Sequence, residues 1–405
     1  MGWYASERAH ERIARLAGQG LDLVTFWREC SAAIARAVPH YLAPCWFTLD
    51  PASLLVTSHF QEGLPEIPAE WLAHEYFEDD VNKMADVARS ERGVGTLHEA
   101  TGGDPRRSPR YERDIEAYGG EQEMVAGLRT ASGEIWGAVG LYREKGRPMF
   151  DADDIDFMRA VAPSLAEGAR RGLLLGDATD PDGPNAPGLV VLRHDWSVES
   201  VTPGTERWLA ELPDGDWERG DLPSSVYAVA GRAMRSAEDA DEPGEIAVAR
   251  VLSRAGRWIV LHGASLVTDG SRRVAVIIEV AHPARISALL MAAYQLTLRE
   301  QEVTRLVLQG SSTAQIADAL SISAGTVQQH LKNVFEKTGV RSRRDLVGKV
   351  FFAHYEPRVR DNERRAAQGQ PVRGGPAAGM EQQRLRNGED ALGPAAAVDL
   401  AARPL

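Results

Sequence analysis

The chain has 405 residues, which predicts two or three domains rather than one hydrophobic core. Its formal net charge of −12 excludes a protein that coats nucleic acid over its whole surface, and its apolar runs are too short for a membrane span. Two cysteines, Cys30 and Cys45, cannot form a disulfide framework, so we expect a reducing, cytoplasmic location and no membrane partner.

The first predicted unit covers residues 21–175 and follows an N-terminal extension, residues 1–20. Apolar residues at helical spacing, among them Phe26 and Ile34, predict its first helix. Two strands, a long loop with short helices, a two-stranded hairpin and a closing helix follow, at residues 45–49, 54–57, 93–118, 123–130, 136–142 and 153–175. This order, and the pattern of residues 127–170 in particular, resembles a GAF domain, which implies a cytoplasmic α/β fold that binds small molecules.

The second predicted unit covers residues 188–282 and follows a polar, turn-forming linker at residues 176–187. Its pattern predicts two strands, two helices and three strands, at residues 188–193, 197–202, 206–212, 225–236, 246–253, 258–265 and 273–280. That order resembles a PAS domain, a sensory and dimerising α/β fold. The predicted fold class is therefore α+β and multidomain, completed by an all-α domain at the C-terminal side.

The C-terminal part of the chain contains a positively charged segment. A short connecting helix is predicted at residues 283–294 and a disordered tail, poor in apolar side chains, at residues 355–405. Between them, residues 295–354 divide into four short helices. Residues 296–354 hold eight basic and five acidic side chains inside an acidic chain. Such a local basic surface is typical of a DNA-binding module.

Each of these four helices has a start signal. Thr297 and Glu300 fit a capping box, in which a hydroxyl and a carboxylate each bond a free backbone amide. Ser312 or Thr313 can cap the second helix, and Ser323 can cap the third. The short turn between the second and third helices has the spacing of a helix-turn-helix, which lays one helix in the DNA major groove.

The third helix carries the residues that we predict to read DNA. Its apolar stripe leaves Gln328, Gln329 and Lys332 facing outward. A Gln side chain can bond adenine through both its donor and its acceptor, and Lys332 can reach guanine or a phosphate. A second group is predicted to contact the DNA backbone, where contacts position the protein without specifying sequence, namely Ser312, Thr313, Thr326, Lys337, Arg341, Arg343 and Arg344.

The whole helical segment resembles the LuxR-type, or GerE-type, DNA-binding domain. The matching residues are Leu296, Thr297, Arg299, Glu300, Glu302, Val303, Gly310, Ile316, Ala317, Leu320, Ile322, Ser323, Thr326, Val327, His330, Leu331, Asn333, Lys337, Gly339, Val340 and Arg343. The resemblance implies base contacts by Gln328, Gln329 and Lys332, and dimerisation on an inverted repeat through a last helix with Leu346, Val347, Val350 and Phe351. Two positions depart from the family, because Gln328 stands where Lys is usual and Thr313 where Asn is usual.

The sequence therefore predicts a one-component transcription regulator and not an enzyme. The expected partners are double-stranded DNA, a second copy of the chain, a small-molecule ligand of unknown identity and RNA polymerase, with no cofactor and no metal. Two alternatives stay open: a GAF-based redox or small-molecule enzyme, which needs a reactive thiol at Cys30 or Cys45, and a regulatory scaffold without DNA affinity. The acidic run Asp151, Asp153, Asp154 and Asp156 lacks the calcium-loop spacing, and we assign it to the start of the closing helix.

Overall fold

A computed structural model describes residues 2–41, 43–61, 70–174, 187–238, 247–268, 271–281, 291, 294–308, 311–343 and 345–346. The predicted linker, connecting helix and tail therefore lie largely or wholly outside the described residues. Within the described part, each helix is too short or too polar to pass through a lipid bilayer. The architecture is α+β with two antiparallel sheets and a separate helical domain, which confirms the predicted fold class.

The first unit is built on a five-stranded antiparallel sheet with the order β2-β1-β5-β4-β3. Its strands are β1 (Cys45–Leu49), β2 (Val56–Phe60), β3 (Val94–Thr96), β4 (Gly120–Arg129) and β5 (Ile135–Glu144). Its helices are α1 (Gly2–Ala17), α2 (Leu23–Ala37), α3 (Trp71–Phe77), α4 (Met84–Arg89), α5 (Leu97–Thr101) and α6 (Ala152–Leu174). Two short 3-10 helices and one short π-helix lie between residues 105 and 118.

Alternating residues of this sheet belong to two different cores. In β1, Trp46 faces a cluster formed with α1, α2 and α6, whereas Phe47 faces a cluster formed with α3 and α4. Because successive side chains of a strand point to opposite faces, a sheet covered on both sides has continuously buried strands. All five residues of β1 are buried accordingly.

The helix α1 lies in the stretch that the sequence analysis set apart as an N-terminal extension. It packs against α2 and α6, and Ile13 and Leu16 are buried there. Its apolar stripe therefore completes the core on one face of the first sheet. The second strand also differs from the prediction for residues 54–57: Leu54 adopts a positive φ in the turn that follows Asp50, so β2 begins only at Val56.

The second unit repeats the same strand order, β7-β6-β10-β9-β8, and all its pairs are antiparallel. The strands are β6 (Gly188–Arg193), β7 (Val198–Val201), β8 (Val248–Leu252), β9 (Trp258–Thr268) and β10 (Ser271–Val280), with the helices α7 (Thr205–Glu211) and α8 (Ser224–Glu238). The predicted elements of this unit are present, each shifted by a few residues at most.

The two units are not independent, because α8 lies between them. It packs on the second sheet and, through its other side, on α3 of the first unit, so one hydrophobic cluster spans both. Two glycines allow this close packing: a Cβ on Gly231 would overlap the backbone of Ala73, and a Cβ on Gly263 would lie 2.8 Å from the Val229 carbonyl oxygen. The helices α3 and α4 were not predicted from the sequence.

A buried ion pair also joins the two units. Arg250 of β8 donates from Nη2 to Oδ1 of Asp50 at 2.6 Å and from Nε to Oδ2 at 2.8 Å. The backbone amide of Arg250 donates to the same Oδ2 at 2.9 Å, and the Asp50 side chain is 0% exposed. A carboxylate so fully desolvated is stable only while its cation stays in place.

The C-terminal domain has the described helices α9 (Leu298–Leu308), α10 (Thr313–Leu320) and α11 (Ala324–Thr338). Val303, Ile316, Val327 and Val334 form the centre of its own small core. Thr297 and Glu300 form the predicted capping box, with the Thr297 amide 2.8 Å from Oε2 of Glu300. The apolar stripes predicted from helical periodicity therefore meet as expected.

Candidate DNA-binding surface and ligand pocket

The start of α11, the recognition helix, is held by local hydrogen bonds. Ser321 ends α10 in the left-handed conformation with φ +53°, which turns the chain sharply. Ser323 then caps α11, its Oγ accepting a hydrogen bond from the Thr326 amide at 3.0 Å. The angle between α10 and α11 is thus set by a tight turn and by the core that the two helices share, to which Ile316 and Val327 both belong.

The outward face of the recognition helix presents the three predicted base-contacting side chains. Gln328, Gln329 and Lys332 are all exposed, as the helical periodicity predicts. Gln329 donates from Nε2 to Oδ1 of Asn333 at 3.1 Å, which orients its amide along the helix. Within the described part of the chain, Gln328 and Lys332 form no hydrogen bond or ion pair. Their polar tips can therefore bond another molecule without first breaking an internal contact.

The residues predicted to contact the DNA backbone differ in their exposure and in the hydrogen bonds that they already form. Thr326 and Arg341 are exposed near either end of the recognition helix. Ser312, by contrast, is engaged in a capping box with Gln315, and Arg343 donates to the Ser311 carbonyl. Thr313 is partly buried, and Arg344 lies outside the described residues.

Lys337 forms an ion pair inside the domain, its Nζ lying 2.6 Å from Oε2 of Glu300. The Glu300 side chain is only 3% exposed; burial by itself raises its pKa, but the bonds from Lys337 and the Thr297 amide outweigh burial and lower it. Lys337 thus stabilises the packing of α9 on the recognition helix. Leu346 is buried in the same core, and its predicted dimer partners, Val347, Val350 and Phe351, lie outside the described residues.

A second candidate site is a pocket in the first unit, between its sheet, α3 and residues 110–120. The space, including its open mouth, is about 590 Å³, within the range of small-molecule sites. Its main lining residues are His59, Trp71, Arg110, Tyr118, Glu123 and Tyr142. The pocket is mostly apolar, with a few polar groups at defined positions.

The charges at the pocket are paired within the protein. Arg110 is buried and donates from Nη2 to Oε2 of Glu123 at 2.5 Å. Its Nη1 donates to the carbonyl oxygen of Val81 at 2.9 Å and to Oδ2 of Asp80 at 3.3 Å. Asp114, which also lines the pocket, is paired with Arg113 at 3.0 Å. The guanidinium of Arg110 therefore has its hydrogen-bonding directions largely occupied.

His59 is the exception among the polar lining residues. Its ring stacks on Phe47 with a centroid separation of 4.7 Å and meets the edge of Trp71 at 6.3 Å. Its Nε2 has no exposed surface and no hydrogen-bond partner among the described residues. Burial lowers the pKa of His59 to about 4, so the ring is neutral near pH 7.

Cys45, which also lines the pocket, has an unreactive environment. Its thiol is buried, and burial raises its pKa to about 12. Burial also raises the pKa of Cys30 well above the ordinary value. Because the thiolate is the reactive form, these surroundings disfavour redox or nucleophilic chemistry at either cysteine.

Comparison with known families identifies the C-terminal domain. The model of the bacterial regulatory proteins of the luxR family matches residues 294–350. These residues are a luxR-family domain. A stretch of 57 residues is 43% identical to the monoamine regulon transcriptional regulator of Klebsiella aerogenes. That match covers 14% of this chain and 25% of the relative, so the chain spans about a quarter of the relative's length.

The solved structures that are similar to the chain share little sequence with it. A phycoerythrobilin-bound GAF domain from a cyanobacterial phytochrome is 16% identical, with 42% of this chain and 96% of that chain covered and a TM-score of 0.31. The VqsR LBD domain from Pseudomonas aeruginosa is 19% identical, with 42% and 98% covered and a TM-score of 0.29. The PAS-like assignment of the second unit stays a prediction.

The luxR-family domain was predicted residue by residue, whereas Cys45, as a possible reactive thiol, was the one pocket-lining residue that the sequence singled out. His59, Arg110 and Glu123 come from β2, a loop and β4, and only the folded sheet brings them together. One signal was present in the sequence: a polar His at the end of a half-apolar strand. The acidic run at residues 151–156 has a structural role at the start of α6. The Asp154 carboxylate accepts a hydrogen bond from Arg143 at 2.9 Å. Asp151 and Asp154 also cap the helix, because the side chain of each accepts a hydrogen bond from the backbone amide of the other.

Proposed function

We propose that this chain is a one-component transcription regulator. Its luxR-family domain binds double-stranded DNA at an inverted repeat as part of a homodimer, and the first unit binds a small molecule that controls this binding. The exposed amide and ammonium groups on the outward face of the recognition helix carry the proposal. A helix with such a face fits the major groove, where base edges offer matching donors and acceptors.

The local charge supports the same conclusion. Although the whole chain has a formal charge of −12, Lys332 and Arg341 are exposed on or beside the recognition helix. Acidic groups elsewhere reduce non-specific adsorption to DNA, while these cations attract phosphates at one surface. Such a distribution suits a protein that binds short specific sites rather than long stretches of duplex.

Control by a ligand requires that the pocket be linked to the DNA-binding domain. The pocket wall contains Trp71 of α3, and α3 packs directly on α8 of the second unit. The luxR-family domain contacts the first unit through Gln295, which donates from Nε2 to Oε2 of Glu167 in α6 at 2.8 Å. A ligand alters DNA binding only if it has different affinities for the DNA-competent and incompetent states.

The enzyme alternative has no support from the thiols, since burial keeps Cys45 and Cys30 protonated. We therefore propose a non-enzymatic regulator. The homodimer, formed by two copies of the chain, recruits RNA polymerase to the bound promoter or obstructs it there.

The test is selection of binding sites from a randomised DNA duplex by the full chain. We expect an enriched inverted repeat, with an affinity that falls steeply as salt increases. Failure to enrich any sequence, with equal weak binding to all duplexes, would contradict the proposal and favour a scaffold.

Three variants of the full chain sharpen this test. Gln328→Ala changes the preferred base at one position of each half-site, by about 1 kcal/mol, and leaves the salt dependence unchanged. Arg341→Ala weakens binding to all sites alike and lowers the salt slope by about one. The exposed Gln19, after α1, provides the matched control Gln19→Ala, which changes neither quantity. Unaltered base preference in Gln328→Ala would exclude a base contact by that residue.

A further inference from the structure

The recognition helix carries two adjacent glutamines whose side chains differ in their hydrogen bonding. Both are exposed on the outward face. Gln329 donates a hydrogen bond from Nε2 to Oδ1 of Asn333 at 3.1 Å, whereas Gln328 forms no hydrogen bond with the described residues. One amide is therefore held in place and the other is free to rotate.

The difference follows from the residue that stands four positions further along the helix. Side chains four residues apart lie one above the other, and the later one leans back toward the earlier one. For Gln329 this later residue is Asn333, whose amide oxygen accepts the hydrogen bond. For Gln328 it is Lys332, whose ammonium group only donates and so cannot accept a bond from the Gln328 N–H groups.

The bond to Asn333 limits what Gln329 can offer to a base. A glutamine side chain has one oxygen and two N–H groups. With one N–H bonded to Asn333, the oxygen Oε1 and a single N–H remain. Adenine presents one acceptor, N7, and one donor, the N6 amino group, in the major groove. The remaining oxygen and N–H of Gln329 match this pattern.

The same bond disfavours guanine. Guanine presents two acceptors, N7 and O6, in the major groove and therefore needs two donors from the protein. A free glutamine can turn its amino group so that both N–H groups face the base. Gln329 can do so only if its bond to Asn333 breaks, and rotation of its amide alone would bring Oε1 against Oδ1 of Asn333, where two acceptors repel.

We propose, building on the proposed DNA-binding function, that Asn333 is a positioning residue that restricts Gln329 to adenine. Asn333 holds one N–H of Gln329 so that Oε1 and the second N–H face the base. Gln328 has no such partner and shows a weaker preference at the base pair that it contacts. Each half-site therefore contains one strictly specified adenine, at the position read by Gln329.

The relative affinities of variant duplexes for the full chain test this assignment. Each position of the selected site is changed in turn, and binding is measured by fluorescence anisotropy. Gln329→Ala identifies the base pair that Gln329 reads, because a preference for adenine of about tenfold is lost there. Asn333→Ala should lower the preference for adenine over guanine at that same base pair by about threefold and leave the other positions unchanged.

Three further variants separate a positioning role from a structural one. In Asn333→Asp the new carboxylate only accepts, so Gln329 still donates to it; the preference for adenine should be retained, although the added negative charge weakens binding to all sites alike. Gln329→Ala combined with Asn333→Ala should show the same preferences as Gln329→Ala alone, because Asn333 acts through Gln329. Glu336 is exposed on the same helix, and Glu336→Ala is the matched control with unchanged base preferences.

A measurement without DNA tests the hydrogen bond itself. In the full chain with ¹⁵N-labelled glutamine, the side-chain amide signal of Gln329 is the one that disappears in Gln329→Ala. We expect its ¹⁵N relaxation to show a more restricted amide in the wild-type chain than in Asn333→Ala. An equally mobile amide in the two chains would overturn the inference, whatever the chain does with DNA.

The DNA measurements can contradict the inference separately. An unchanged preference for adenine in Asn333→Ala, or its loss in Asn333→Asp, would show that Asn333 does not position Gln329. A chain that selects a DNA site but has no preference for adenine at the position read by Gln329 retains its regulatory assignment and loses only this inference. A chain that enriches no DNA site loses both.

Discussion

The luxR-family domain and the first unit differ in how far apart in the chain their functional residues lie. The three exposed tips of the recognition helix lie within five consecutive positions, 328–332, and its caps and core stripe lie nearby. The pocket joins Cys45 to Tyr142 across nearly one hundred positions and depends on a sheet, on α3 and on a loop. A site built from local periodicity is visible in a sequence, whereas a site built by topology is not.

The same contrast appears in how each region is stabilised. The luxR-family domain has its own small core. The first and second units share one core around α8, so a change in one should destabilise both. The following predictions test that difference, beginning with the largest expected effect.

Loss of the ion pair between the units should be the most damaging change. Asp50→Ala leaves Arg250 without its buried carboxylate and should lower the free energy of unfolding by about 3 kcal/mol. Urea denaturation followed by tryptophan fluorescence measures it, since tryptophans lie in both units. Asp79, which pairs with Arg235 at 2.7 Å but is 88% exposed, supplies the control: Asp79→Ala should cost about 0.5 kcal/mol or less. Equal effects of the two changes would show that the units are not coupled by Asp50.

Crowding the contact between α3 and α8 should have the next largest effect. A Cβ on Gly231 meets the backbone of Ala73, which cannot move aside as a flexible side chain could, so Gly231→Ala should destabilise the shared unit by about 2 kcal/mol. A Cβ on Gly325, at the start of the recognition helix, would lie at an ordinary contact distance of 3.7 Å from Oγ of Ser323, and Gly325→Ala should not destabilise the chain. A neutral Gly231→Ala would mean that the two helices are not in close contact in solution.

Removal of the cap of the recognition helix should affect only the luxR-family domain. Ser323→Ala loses the bond to the Thr326 amide and should lower that domain's stability by about 1 kcal/mol. Amide hydrogen exchange can assign the loss, with faster exchange in residues 324–338 and unchanged exchange in β1 and β5. Ser323→Asp keeps an acceptor at the cap and should preserve stability. Faster exchange throughout the first unit would contradict the separation of the two cores.

The smallest effect is expected at the pocket and has the opposite sign. His59→Phe removes a buried polar atom without a partner, so the unliganded chain should become more stable, by roughly 0.5–1 kcal/mol at pH 7.5.

This gain should increase as the pH falls. The folded chain holds the pKa of His59 at about 4, below its ordinary value of 6.5, so the unfolded chain binds more protons between these values. The stability of the wild-type chain therefore decreases as the pH falls through this window, because of His59. The His59→Phe chain has no imidazole at this position and does not lose stability in this way. Melting curves at pH 7.5 and 5.5 measure the difference, and a gain that is constant or shrinks toward pH 5.5 would contradict a buried neutral imidazole. His98 is exposed on α5, and His98→Phe should show no such trend.

Much of the secondary structure follows from the sequence, but α3, α4 and the strand β3, which lies in the loop predicted at residues 93–118, do not. The strands β1 and β6 coincide with the predicted ranges, and α6 differs by one residue at each end. In contrast, α3 and α4 are seven and six residues long, and their apolar residues were not recognised as a helical pattern. Short helices of this kind are stabilised mainly by the surface on which they pack, here the first sheet and α8, rather than by their own propensity.

The sequence by itself determined the luxR-family domain, since its helical caps, apolar stripes and outward polar positions all arise from contacts within a few residues. It also determined the order of the strands and helices in the second unit, and in the first unit that of α2, β1, β2, β4, β5 and α6. Only the tertiary structure decided that α1 completes the first core, that α8 unites the two sheets, and that His59 lies unpaired in a pocket. The physical reason is that these features depend on pairings between distant residues, and hydrophobic burial and ion pairing act through space without leaving a local pattern.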